Sequence, residues 1–132
     1  MSEEERRLAT TTLYRPVGPR ELQLIRESGF TAFPPRLPEQ PIFYPVANRE
    51  YAEQIARDWN AKDAARGYAG FVTQFEVRSE YLARFEQRQV GDVSHVEYWI
   101  PAEQLAEFNS HIVGPIQVVA EYHGTPPEGA SQ

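Results

Sequence analysis

The most pointed group of reactive side chains lies in the segment VSHVEYWIP, residues 93–101. In an extended chain alternate side chains share a face, so Val93, His95, Glu97 and Trp99 point one way and Val96, Tyr98 and Ile100 the other. A carboxylate between an imidazole and an indole is placed for cleft chemistry. Partial burial raises its pKa, and a neighbouring cation lowers it. The same alternation also describes a solvated strand face with an ordinary salt bridge, and the residues alone weigh these readings equally. Arg15 is a second candidate. It sits in LYRPV, a short apolar run where a guanidinium is expensive to bury without an anionic partner. A ligand phosphate or ribose could serve, and so could Glu97 or Glu76. Tyr44 is a third: its ring can stack on a flat group while its hydroxyl donates a hydrogen bond, and packing in the core is its plainer role.

Other chemistries find little support. The three histidines, His95, His111 and His123, are scattered without a second histidine at ligand spacing, so no metal site is expected. No Gly-x-Ser-x-Gly elbow is present, and neither GxGxxG nor GxxxxGK occurs. The chain has no cysteine, which removes disulfides and thiolate metal sites.

The elements that must position these residues centre on FPPRLPEQPIFYPVANREYAEQIARDW, residues 33–59. A loop stiffened by Pro34, Pro35, Pro38 and Pro41 leads into the short apolar run Ile42-Phe43-Tyr44, closed by Pro45. Asn48 can cap a helix over residues 49–62 whose apolar stripe is Tyr51, Ala52, Ile55, Ala56 and Trp59. Such a unit can wall a ligand cleft, and it equally suits a buried strand-turn-helix with no ligand. Before it, residues 13–17 predict a strand, with Pro16 favouring an edge or a strand end. Gly18-Pro19 starts a helix over 19–28, with Pro19 at the first helical position, and Gly29 suits a left-handed cap. After it, residues 69–77 alternate clearly, Phe71, Thr73, Phe75 and Val77 against Val72, Gln74 and Glu76. A helical turn at 79–82, a polar edge strand at 84–90, a turn at Gly91-Asp92 and a strand at 93–100 follow. A short helix from Pro101 to Asn109 comes next, then a break at Gly114-Pro115 and a last strand over 116–122.

Helices early and strands late favour an α+β domain with a largely antiparallel, twisted sheet over residues 13–122. Residues 1–12 and 123–132 read as flexible tails. The expected core is Leu22, Ile25, Phe43, Ile55, Trp59, Phe71, Phe75 and Ile116. The chain is 132 residues long, enough for one domain. The net charge of −6 argues against nucleic acid as the main partner. No apolar run approaches a membrane span, and the start MSEEERRLATTT lacks a signal-peptide core, so a cytoplasmic protein is expected.

In their order and context these residues resemble the ADP-ribosyltransferase-like superfamily. An arginine on the first strand (LYRPV) precedes a helix ending in Gly-Phe (ESGF). An aromatic pair precedes a second helix (IFYPVANREYAEQIA), and a late strand carries a glutamate (EYWIP). The superfamily's three motif positions would fall on Arg15, Tyr44 and Glu97. Residues 13–122 also resemble a family of small bacterial proteins carrying an ADP-ribosylation/crystallin J-type label. The resemblance implies a split, twisted, mainly antiparallel sheet with two main helices, and NAD as substrate in a cleft between the sheet halves. Arg15 would hold the dinucleotide, Tyr44 would stack on nicotinamide, and His95 would stand beside the ligand. Glu97 would bind the nicotinamide ribose and stabilise positive charge as the glycosidic bond breaks. The acceptor of the ADP-ribose, a protein or a small molecule, is not specified. His95 stands two residues before Glu97, where arginine-modifying members carry Glu or Gln, which speaks against arginine as the acceptor. The acidic balance speaks against removal of a 2′-phosphate from RNA. The alternatives are a nucleotide-binding module without turnover and a partner-binding protein.

Overall fold

A computed structural model describes residues 2–62, 67–91 and 95–124. Along these residues run α1 (Glu3–Leu8), β1 (Thr10–Val17), α2 (Pro19–Glu27), β2 (Ile42–Phe43), α3 (Arg49–Asp58) and β3 (Ala69–Arg78). Then come α4 (Ser79–Leu82), β4 (Glu86–Gln89), β5 (Val96–Pro101), α5 (Leu105–Ser110) and β6 (Ile112–His123). The fold is mixed α+β and rests on two small antiparallel sheets, ordered β1-β3-β6 and β2-β5-β4.

The helix signals place α2 and α3 well. Pro19 opens α2, and after Ser28 the chain turns through Gly29 at φ 76°, the left-handed region that glycine enters freely. The Asn48 side chain accepts from the Tyr51 amide and caps α3. That helix ends at Asp58, short of the expected Lys62, and a single 3-10 turn takes over at Asn60–Lys62. The early end turns Trp59 off the apolar stripe. It is 71% exposed, against the expectation that it is core. Ile55 and Phe71 are half-buried, whereas Leu22, Ile25, Phe43, Phe75 and Ile116 are buried as expected.

β3 is buried on both faces. Phe75 and Val77 enter the main core with Leu13, Val17, Ile25, Phe43 and Phe108, while Val72 packs on the opposite face with Val46, Ala52 and Ala56. Its length explains why the first strand starts before residue 13. Thr10 pairs with Arg78, and α1, closed by a Ser2–Glu5 capping box, occupies part of the stretch read as a tail. Gly114-Pro115 does not break the last strand either. The pairing of β6 with β3 slips between Gln74 and Glu76, whose partners are Gln117 and Val113, and Gly114 takes φ 78° there. A bulge spares the missing Pro115 amide a ladder position. Residues 92–94 and 125–132, including the turn residue Asp92, Val93 and most of the expected C-terminal tail, lie outside the described residues.

The backbones of the two sheets are bridged at Val46. Val46 exchanges both backbone hydrogen bonds with Tyr14 of β1, at 2.9 and 2.8 Å. On its other side the Ala47 amide donates to the Val96 carbonyl at 3.0 Å, and the Tyr98 amide donates to the Pro45 carbonyl at 2.9 Å. Val46 thereby lies opposite both Tyr14 and Glu97, which brings Arg15 and Glu97 to neighbouring positions across this junction.

Candidate functional site

Arg15 leaves β1 between Leu13 and Val17, on the side of the main core, and is 8% exposed. Its carbonyl accepts the buried Thr73 hydroxyl at 2.8 Å. The guanidinium forms a fork-to-fork pair with Glu21. Nε donates to Oε2 at 2.6 Å and Nη2 to Oε1 at 3.0 Å. Its Cζ lies 4.6 Å from the centre of the Phe43 ring. Nη1 makes only a long contact, 3.5 Å, to the Tyr44 carbonyl. The anionic partner of Arg15 is therefore Glu21, in the first turn of α2. Glu76 instead accepts from the Thr10 and Thr12 hydroxyls, at 3.0 and 2.6 Å.

Glu97 and Trp99 leave β5 away from the main core, while Tyr98 and Ile100 enter it, as the alternation predicts. The Tyr51 hydroxyl donates to Glu97 Oε2 at 3.0 Å, and the Trp99 indole N–H donates to Oε1 at 3.2 Å. Burial, and then the Glu97 carboxylate, push the Tyr51 hydroxyl up to about 12. It therefore remains a donor throughout the neutral range. The Tyr51 ring stacks on His95 at 4.1 Å and 7°. Tyr44 meets Trp99 edge-on at 5.3 Å, and the Arg88 guanidinium lies 3.8 Å over the indole.

Arg15, Tyr44 and Glu97 all border one pocket of about 460 Å³, completed by Val46, Ile55 and Trp99 among others. This is within the usual size range of small-molecule sites. His95 is not part of that wall. It sits behind it, against Tyr51. The pocket offers an anion fixed by two neutral donors, an aromatic rim and a buried cation already paired. Such an arrangement can stabilise positive charge in a ligand and can stack a flat ring.

Two residues that shape this site do not stand out in the sequence. Tyr51 reads as part of an apolar helical stripe, although a buried phenol needs a hydrogen-bond partner. Glu21 reads as an ordinary first-turn acid. Its position six residues after Arg15, across a strand-to-helix turn, is the available signal.

Among the described residues, no group of three His, Asp or Glu is placed to hold a metal ion, and no helix is long and apolar enough to cross a membrane. Comparison of the chain with protein-family models, with curated proteins and with solved structures finds no match.

Proposed function

We propose that this chain is an ADP-ribosyltransferase-like protein that binds NAD, cleaves its glycosidic bond to nicotinamide and passes ADP-ribose to a protein or small-molecule acceptor. The observation that carries this reading is the Glu97 carboxylate, held by Tyr51 and Trp99 in the pocket that Arg15 and Tyr44 also border. Two antiparallel sheets joined at Val46, with the pocket beside that junction, support the split-sheet form of the fold that the resemblance implies.

In the proposed reaction the bond from C1′ of the ribose to the nicotinamide nitrogen breaks, and its electron pair leaves with nicotinamide. The positive charge this creates on the ribose is stabilised by Glu97. The acceptor then attacks C1′ and loses its proton; water as acceptor gives free ADP-ribose. Tyr44 is the ring available to stack on nicotinamide. Arg15 can reach a phosphate through Nη1 and the second N–H of Nη2, because Glu21 already holds Nε and the other N–H of Nη2.

That prior pairing, with His95 turned onto Tyr51, favours a second reading: a module that retains the pocket without turnover. Nicotinamide release from NAD by the purified protein, followed together with NAD-induced thermal stabilisation, separates the two. The expected outcome is release by the native chain. Glu97→Gln should abolish release while NAD binding persists, because the lost interaction acts chiefly in the transition state. Stabilisation without release supports the non-catalytic module. Absence of both replaces NAD chemistry with a partner-binding role.

A further inference from the structure

Charge is unevenly settled around the Glu97 pocket. Two arginines stand close to it, and each is already held by its own glutamate. Arg15 is forked onto Glu21. Arg88, whose backbone stands opposite Glu97, is bound instead to Glu86 and lies over the Trp99 indole. Among the described residues Glu97 has no cation of its own, since its two oxygens accept from Tyr51 and Trp99, both neutral. The two arginines and three glutamates therefore leave one negative charge, and it sits at the pocket wall.

The rest of the wall is aromatic and apolar. Tyr44 and Trp99 stand at 85° with ring centres 5.3 Å apart, so a ring face lines each side of the corner between them. Trp99 also borders a neighbouring pocket of about 330 Å³, and Arg88 lines that pocket and not the one beside Glu97. The guanidinium thus covers the indole from the far side. Val46, Ile55 and Val90 are the apolar part of the wall, with Val90 42% exposed at its rim. Apart from Glu97, the Tyr44 hydroxyl is the hydrogen-bond acceptor among the bordering side chains. A primary ammonium brings three N–H donors, more than such a wall can satisfy, and an unpaired donor is expensive to bury. A cation with methyl groups in place of N–H carries no such cost, and aromatic faces attract it.

We propose that the Glu97 pocket binds a methylated ammonium cation, a trimethylammonium group carried by a small molecule or by a lysine side chain. Its methyl groups fill the corner between Tyr44 and Trp99, and its charge faces Glu97. A trimethylammonium group offers Glu97 no hydrogen, so the carboxylate acts through its charge. The site shares the pocket of the proposed NAD reaction but does not rest on turnover there.

Choline and end-capped trimethyllysine are the probes. Their comparators are the tert-butyl analogue of choline, in which carbon replaces the charged nitrogen, and end-capped unmodified lysine. The chain has two tryptophans, and Trp59, 71% exposed, lies outside the pocket wall. Fluorescence of a Trp59→Ser chain therefore reports Trp99 directly. Each methylated probe should bind saturably, at least about tenfold tighter than its comparator, and the tighter of the two probes identifies the source of the cation. In the same background Glu97→Gln and Tyr44→Leu, with melting curves to check folding, should each weaken both probes by about tenfold or more. Glu97→Gln should leave the tert-butyl analogue unchanged. The proposal is overturned if neither probe saturates, if the neutral analogue binds as tightly as choline, or if lysine binds as tightly as trimethyllysine. It is equally overturned if either folded variant binds the probes as the parent does. Cation binding by a chain that releases no nicotinamide would support this site and remove only the transferase reading. Nicotinamide release without cation binding would overturn this site alone.

Discussion

Glu97 is held by two neutral donors, the Tyr51 hydroxyl and the Trp99 indole. Neutral donors give a carboxylate a direction without cancelling its charge, which is the condition for stabilising a developing cation. The prediction at this scale concerns Tyr51. Tyr51→Phe keeps the ring on His95 and removes only the hydrogen bond. It should cost about 1 kcal/mol in denaturant-measured stability. In the proposed reaction it should slow nicotinamide release by about tenfold while NAD affinity changes little. A variant that releases nicotinamide at the native rate would show that Trp99 alone suffices to orient Glu97. Neither this contact nor the Arg15–Glu21 fork is legible in the sequence. Glu97 and Glu76 look like equally good partners for Arg15 until the tertiary structure engages Glu97 with Tyr51 and Trp99, and Glu76 with Thr10 and Thr12.

Elements read more reliably than contacts where a local chemical signal marks their ends. Pro19, Asn48 and Gly29 each carry such a signal, and the helix boundaries follow them. Where an end depends on packing, the periodic pattern misleads. The stripe of α3 continues on paper to Trp59, but the helix stops one residue earlier and the indole faces outward. Trp59→Ser should therefore change stability by no more than about 0.5 kcal/mol, whereas Phe75→Ala, deep in the main core, should cost about 3–5 kcal/mol. Chemical denaturation of the two variants checks this, and a large loss at Trp59 would restore the longer helix. Gly114-Pro115 misleads in the opposite sense. Both residues signal a break, but a bulge absorbs them within β6. The Val46 junction leaves no trace in the sequence, because a single paired residue after a proline makes no periodic pattern.

At the scale of the whole molecule, the tyrosines set an alkaline limit. Tyr51 and Tyr81 are both raised from 10.0 to about 12, chiefly by burial, and Tyr98 is raised by burial as well. A raised pKa means that the folded state holds its proton more tightly than the unfolded chain does. The resulting stabilisation is complete below about pH 10, the value of an unfolded tyrosine. Between there and about pH 12 the unfolded chain binds fewer protons, so stability falls as pH rises. Melting temperature should decline across this window, and less so in Tyr51→Phe. An equal decline in that variant would assign the effect to the other tyrosines. Unfolding itself raises a different matter. The sheets share side chains in the main core, and among the described residues their backbones are hydrogen-bonded to each other through Pro45–Ala47, a splice three residues long in the bridging segment. Val46→Pro deletes the N–H that Tyr14 receives and so cuts one strand of that splice. If the splice carries cooperativity, the near- and far-ultraviolet transitions of this variant should separate, one sheet melting ahead of the other. If they still coincide, the shared side chains alone make the molecule fold as one.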